Sequence, residues 1–226
     1  MESLVATGSH FLDSLLNGGY EKDIITTLYG PAASGKTLLC MLPVIGIARQ
    51  GKKTIYIDTE GGFSIERLKQ LAPDYEEVIK NIVFFRPTNF KEQKDAFEKL
   101  KDAMNDNIGL IVVDSIAMLY RIELGQSKDV YDVNKDLGLQ LSFLTEIARK
   151  KNIPIIITNQ VYADFDNKDN VKMVGGDILK YGSKCLIELK KMHRDKRIAI
   201  VKKHRSIESE RAVVFRIVNK GIEEGD

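Results

Sequence analysis

Eight residues constrain this chain more than any other stretch. Gly30 to Thr37 reads GPAASGKT, a G-x-x-x-x-G-K-[ST] loop. The apolar run IITTLYG leads into it and the helical run TLLCMLPVIGIARQ leads out. A glycine loop between a strand and a helix places the chain among α/β folds that cradle phosphate. Across Gly30, Pro31, Ala32, Ala33, Ser34 and Gly35, backbone N–H groups can turn inward around an anion. The helix beginning near Gly35 adds its positive dipole end. Lys36 can reach β- and γ-phosphate oxygens, and the Thr37 hydroxyl can ligate Mg²⁺. ATP with Mg²⁺ is therefore the expected cofactor pair. The alternative is a glycine turn carrying an incidental lysine.

The rest of the chain fits the same class. GSHFLDSLLNGG reads as a short helix, with Phe11, Leu12, Leu15 and Leu16 on one face and Gly18-Gly19 ending it. KKTIYIDTE and NIVFFRP read as strands. Asn89 with Glu92 three residues on approaches a capping box for the next helix. IGLIVVDS and IPIIITNQ are nearly continuous apolar runs, expected to be buried on both faces as central parallel strands are. Residues 132–151 have the period of an amphipathic helix. From residue 161 to about 177 no periodicity survives, and Gly175-Gly176 closes that stretch. KCLIELKKM, RIAIVKKHR and RAVVFRIV then follow with turn-like breaks, as an antiparallel meander would. The expectation is one domain with a mostly parallel central sheet, flanking helices and a C-terminal antiparallel extension.

Composition narrows the setting. Cys40 and Cys185 sit in apolar runs and read as buried thiols, which suits a reducing cytoplasm. No apolar stretch has membrane-spanning length and no signal sequence is visible, so a cytoplasmic protein without a membrane partner is expected. Charge is uneven. Lys180 to Arg205 holds ten Lys or Arg against two acids, while the remaining 200 residues hold 24 basic and 30 acidic groups. A basic C-terminal third suits a local anion such as phosphate, nucleic acid or an acidic protein; a solvated lysine face is the plainer reading.

Three strand-end polar residues extend the candidate site. Asp114 ends LIVVD, where a carboxylate can hold Mg²⁺ through water or cap the following turn. Glu60 ends TIYIDTE and can orient and deprotonate a water. Gln160 ends IIITNQ and can hydrogen-bond a γ-phosphate. Glu60 and Gln160 are equally what ordinary strand ends carry.

Taken in order, TGSHFLDSLLNGG, YGPAASGKT, YIDTEGGFSIERL, LIVVDSIAMLYR, ITNQV and VGGD resemble the RecA/RadA recombinase ATPase core, from Thr7 to about Ile222. IDTEGGF together with ITNQV is what points to recombinases rather than to P-loop ATPases at large. The resemblance implies a single RecA-like core over residues 1–226. The helical DNA-binding domain and the Phe-x-x-Ala polymerisation segment of archaeal and eukaryotic recombinases are expected to be missing, as in a core-only archaeal paralogue. It implies a catalytic role for Glu60, γ-phosphate sensing by Gln160 and adenine stacking by Arg67, with Ser64 standing where the family has a second arginine. It implies DNA-lining loops from about Arg121 to Asn134 and from Val161 to Asp177. Asp129, Asp132 and Asp136 make the first a poor grip for phosphates. DNA binding, preferably of single strands, is then expected from Arg121, Lys168, Lys172 and the Gly175-Gly176 end of the second loop.

The resemblance also gives KKHRS a target. In RecA-type filaments a pair of cations spaced i, i+2 reaches the neighbouring subunit's γ-phosphate. Lys203 and Arg205 have that spacing, and on one strand they would share a face, with Lys202 and His204 turned away. A basic outer patch for DNA is the alternative. The implied activity is that of a DNA repair and recombination accessory protein, a weak DNA- or assembly-dependent ATPase acting on the main RadA-type recombinase. A homodimer or short assembly is expected rather than a long filament. A nucleotide-gated protein-binding module and a clock-type ring ATPase are the alternatives.

Overall fold

The computed structural model describes residues 4–163 and 171–225. β1 (Leu4–Val5) pairs antiparallel with β2 (Tyr20–Glu21), and α1 (His10–Leu15) runs between them. β3 (Ile25–Tyr29) feeds α2 (Lys36–Arg49) through the glycine loop, and β4 (Lys53–Asp58) follows. Short helices α3 (Ile65–Leu71) and α4 (Tyr75–Lys80) precede β5 (Ile82–Phe85) and α5 (Phe90–Ala103). Next come β6 (Ile108–Asp114), α6 (Met118–Gln126), α7 (Val130–Lys151) and β7 (Ile155–Asn159). β8 (Val161–Ala163) and β9 (Val171–Met173) pair as antiparallel strands ahead of α8 (Gly176–Gly182). The chain closes with β10 (Cys185–Lys191), β11 (Lys196–Lys203), β12 (Ala212–Val218) and β13 (Gly221–Glu224).

Nine strands form one sheet in the order β13-β12-β11-β10-β3-β7-β6-β4-β5. Neighbours from β10 to β5 are parallel, and those from β10 to β13 are antiparallel. This is the expected parallel sheet with its antiparallel extension. Because side chains alternate along a strand, β6 sends Leu110 and Val112 into one core and Ile111 and Val113 into the other. β4 divides Tyr56 from Ile55 and Ile57, and β7 divides Ile156 from Ile155 and Ile157. Each such side chain, fully buried, contributes about 1.5–3 kcal/mol. The central strands are thus held from both faces, and their C-terminal ends are fixed points on which a site can be built.

α2 lies in the first core, with every residue from Leu38 to Ile45 buried. That burial offsets Pro43, whose missing N–H costs ~3 kcal/mol in a helix interior. Cys40 in α2 and Cys185 in β10 are buried free thiols. Asn89 caps α5 by accepting from Glu92 N at 2.9 Å. The Glu92 carboxylate accepts from Thr88 N and Thr88 Oγ1, both at 2.8 Å, one residue before the Asn89 N–H that a capping box would use.

Two expectations change. The stretch from Arg121 to Asn134 is mostly helical, with α6 reaching Gln126 and α7 starting at Val130. Tyr120 explains it: the buried ring packs against Phe90 at 6.2 Å, and its hydroxyl donates to Asn134 Oδ1 at 2.6 Å. The stretch after Gln160 also has order at its flanks, where Val161 pairs with Met173 and Ala163 with Val171. Lys168 lies outside the described residues.

Candidate functional site

The glycine loop sits at the C-terminal end of β3, against β10. A Cβ on Gly30 would come within 2.3 Å of Leu189 O, so no other residue fits there. Gly35 takes φ +102° as the residue preceding α2, a conformation glycine adopts without penalty. Lys36 is buried, and its Nζ donates to Gly30 O and Pro31 O, each at 2.9 Å. Burial lowers its pKa, opposed by the negative charges of Glu60 and Asp114. Ser34 is fully buried, and its Oγ has no hydrogen-bond partner among the described residues. An ammonium folded back on its own loop and an orphaned hydroxyl inside that loop are groups that a bound polyphosphate would engage.

Asp114 faces the start of α2. Its Oδ1 accepts from Thr158 Oγ1 at 2.5 Å and its Oδ2 from Tyr56 OH at 3.1 Å, and the Thr37 hydroxyl also bonds it. Burial raises its pKa, and these three hydrogen bonds oppose the rise. Gly62 passes over the pair: a Cβ there would lie 3.3 Å from Thr37 Oγ1 and 3.9 Å from Asp114 Oδ2. A hydroxyl beside a carboxylate is the hard-oxygen donor set that Mg²⁺ takes when phosphates and water supply the rest.

Glu60 and Gln160 each lie just past a strand end and meet across the end of β6. Gln160 Nε2 donates to Glu60 Oε1 at 2.9 Å. Desolvation and the charge of Asp114 hold the Glu60 carboxyl above its usual pKa; the Gln160 bond and Lys36 pull it down. Gln160 also ties down the next segment. Its carbonyl accepts from Val174 N at 3.2 Å, and Asn159 Nδ2 donates to Val174 O at 2.8 Å. The β8–β9 pair is therefore hung on the residue that bonds the candidate base.

Arg67 lies beside the β12–β13 turn. Its guanidinium donates to Val218 O (2.7 Å), Asn219 O (3.1 Å), Gly221 O (3.2 Å) and Gln70 Oε1 (2.6 Å), which fixes its plane. Ser64 is the N-cap of α3, accepting from Arg67 N at 3.2 Å. Arg121 is exposed on α6 and Lys172 lies on β9. Gly175 and Gly176, with φ of +77° and +44°, form the turn into α8. Tyr131 and Tyr162 are exposed on the neighbouring α7 and β8.

The four cations separate differently from the expectation. β11 ends at Lys203 and Arg205 lies in the bend beyond it, so strand period does not put the two on one face. Lys203 Nζ donates to Lys180 O at 2.7 Å and Ser183 O at 2.8 Å. Arg205 pairs with Glu21 at 2.8 Å and Asp23 at 3.0 Å. His204 turns inward: its side chain is 3% exposed, its Nδ1 accepts from Ser206 N at 3.2 Å, and its Nε2 stands 3.7 Å from Glu21. Lys202 alone takes the opposite side, pairing with Glu210 near the buried Glu188.

The Rad51 family profile matches residues 3–225. The chain belongs to the Rad51 family. Within it, the chain is 42% identical over 218 residues to the "DNA repair and recombination protein RadB" of Methanobrevibacter smithii, covering 93% of this chain and 92% of that one. The protein of the same name from Methanocaldococcus jannaschii is 43% identical over 215 residues, covering 94% and 98%. A solved structure described as the RadB recombinase superposes with a TM-score of 0.84 at 38% identity, covering 99% of this chain and 100% of that one.

Several site residues of this Rad51-family chain escaped the sequence reading. Tyr56 and Thr158 hold Asp114, and Asp58 accepts from Gly62 N (3.0 Å) and Phe63 N (3.1 Å) to shape the loop over Thr37. A strand-face count offers one signal: Tyr56 and Asp58 are two apart on β4 and so share a face. The contact itself depends on β4, β6 and β7 being adjacent, which only the sheet order supplies.

Proposed function

We infer that this Rad51-family chain is an ATP- and DNA-binding protein of DNA repair and recombination that hydrolyses ATP weakly and modulates the main recombinase. Its similarity to proteins named for DNA repair and recombination supports the process. The observation that carries the mechanism is the Gln160–Glu60 hydrogen bond, which joins the hydrolytic end of the site to the β8–β9 pair.

In this reading the loop from Gly30 to Thr37 binds the phosphates through backbone N–H groups, and Lys36 leaves its two carbonyls for the β- and γ-phosphate oxygens. Thr37 and Asp114 would hold Mg²⁺, which when bound would supply positive charge against the phosphates. Glu60 orients a water and accepts its proton as the water attacks the γ-phosphate. Gln160 reports the γ-phosphate by exchanging its bond to Glu60 for one to the nucleotide, and Val174 moves with it. Arg67 presents its fixed guanidinium plane to the base. Arg121, Lys172 and the Gly175-Gly176 turn face single-stranded DNA, with Lys168 contributing from the segment between.

Fluorescence anisotropy on labelled single-stranded DNA, with and without ATP, tests this. Wild type is expected to bind more tightly with ATP. Lys36→Ala loses the response, while Glu60→Gln keeps it and loses turnover. An equal DNA affinity with and without ATP in wild type would overturn the reading. If Glu60→Gln retains full modulation of the recombinase, the chain works as a nucleotide-gated binding module.

A further inference from the structure

Lys203 is the member of the four-cation run that holds another element by its backbone. Its two acceptors, Lys180 O and Ser183 O, are carbonyls at the C-terminal end of α8. The last carbonyls of a helix have no intrahelical partners, and a cation there is favoured by the helix dipole. The same end is fastened twice more. Ser183 Oγ lies 2.5 Å from Thr27 Oγ1 on β3, with both side chains fully buried, and Lys184 N donates to Ile25 O at 3.1 Å. The other end of α8 is built in the opposite way. It starts at two consecutive positive-φ glycines, Gly175 and Gly176, just after the buried Val174, which accepts from Asn159 Nδ2 on β7 and donates its N–H to Gln160 O. Between the ends, Leu179 is fully buried while Tyr181 is 77% exposed.

We propose that Lys203 is a positioning residue within its own subunit: it fixes the C-terminal end of α8 to β11, so that α8 pivots there and carries the β8–β9 pair at its glycine end. Lys203 then acts on the DNA-facing flank through α8 rather than on a neighbour's phosphate. The coupling to DNA rests on the proposed function above; the fastening of α8 does not. The two roles for Lys203 exclude one another at any instant, because an ammonium bonded to Lys180 O and Ser183 O cannot span a subunit boundary.

Hydrogen exchange on the ATP-bound protein separates them. Lys203→Met is expected to speed amide exchange in α8 about tenfold or more and to reduce the ATP-dependent gain in single-stranded DNA affinity several-fold, with Lys203→Arg restoring much of both. Lys202→Met, one residue away on the other face, should leave α8 unchanged. If Lys203→Met leaves α8 exchange unchanged and lowers turnover only in assembled protein, the phosphate role is right and this one is wrong. Should Lys203→Met fail to fold, amine acetylation of the wild-type monomer gives the answer directly. Lys203 should react more slowly than the exposed Lys184, and equal rates would overturn the proposal. If wild type shows no ATP-dependent DNA binding, the proposed function fails, while exchange and acetylation still decide what Lys203 does.

Discussion

Lys36 and Lys203 end in the same way and mean different things. Each ammonium donates to two backbone carbonyls, Gly30 O and Pro31 O for one, Lys180 O and Ser183 O for the other. Lys36 bonds its own loop, next to an orphaned hydroxyl and two carboxylates, so its contacts are exchangeable for an anion. Lys203 bonds a helix end already fastened to β3, so its contacts complete a structure. A lysine on carbonyls is thus a resting place or a fastening, and the neighbours decide which.

Substitutions separate the two lysines. The largest effect belongs to the chemistry beside Lys36. Glu60→Gln is expected to lower single-turnover hydrolysis by about 10²–10⁴-fold, the usual span for losing a general base, with ATP affinity unchanged by calorimetry. Lys36→Ala comes next, with ATP affinity falling about 10²-fold for the loss of charge-assisted bonds worth ~3 kcal/mol. If that loss is tenfold smaller than seen for Lys203→Met, Lys36 is the fastening and the contrast is reversed. Asn89→Ala removes the cap of α5, an element that neither lysine ammonium bonds, and should cost ~1 kcal/mol of stability in urea melts while leaving ATP affinity alone. The smallest effect is a displacement along the pH axis. The Glu60 carboxyl is held above its usual pKa, so its basic form is lost as pH falls through that raised value, and turnover falls with it. Gln160→Ala removes a bond that lowers this pKa, so the acid limb of the rate profile should move to higher pH.

The parallel half of the fold was legible because its strands are apolar on both faces and the glycine loop fixes direction at β3. Asp114, Glu60 and Gln160 were legible as candidates because strand ends are easy to find, whereas their mutual contacts depend on sheet order. The stretch around Arg121 reads as a loop because its polar residues mask a short apolar face, Leu119 and Tyr120 buried with Leu124 packed against the same core. The basic run was misjudged for a different reason. Alternation governs side chains only while the strand lasts, and β11 stops at Lys203. Glu21 and Asp23, which take up Arg205, lie some 180 residues earlier in the chain and carry no local sign of that role.

The two cysteines have a practical corollary. Burial pushes the Cys185 thiol up to about 12 and the Cys40 thiol well above its ordinary value. Neither offers a thiolate near neutral pH, so maleimide dyes should find no native target while the protein stays folded. Tyr181→Cys would then be the sole reactive handle, on the exposed side of α8. A fluorophore placed there could watch that helix swing in real time, without stripping either natural sulfur from the core.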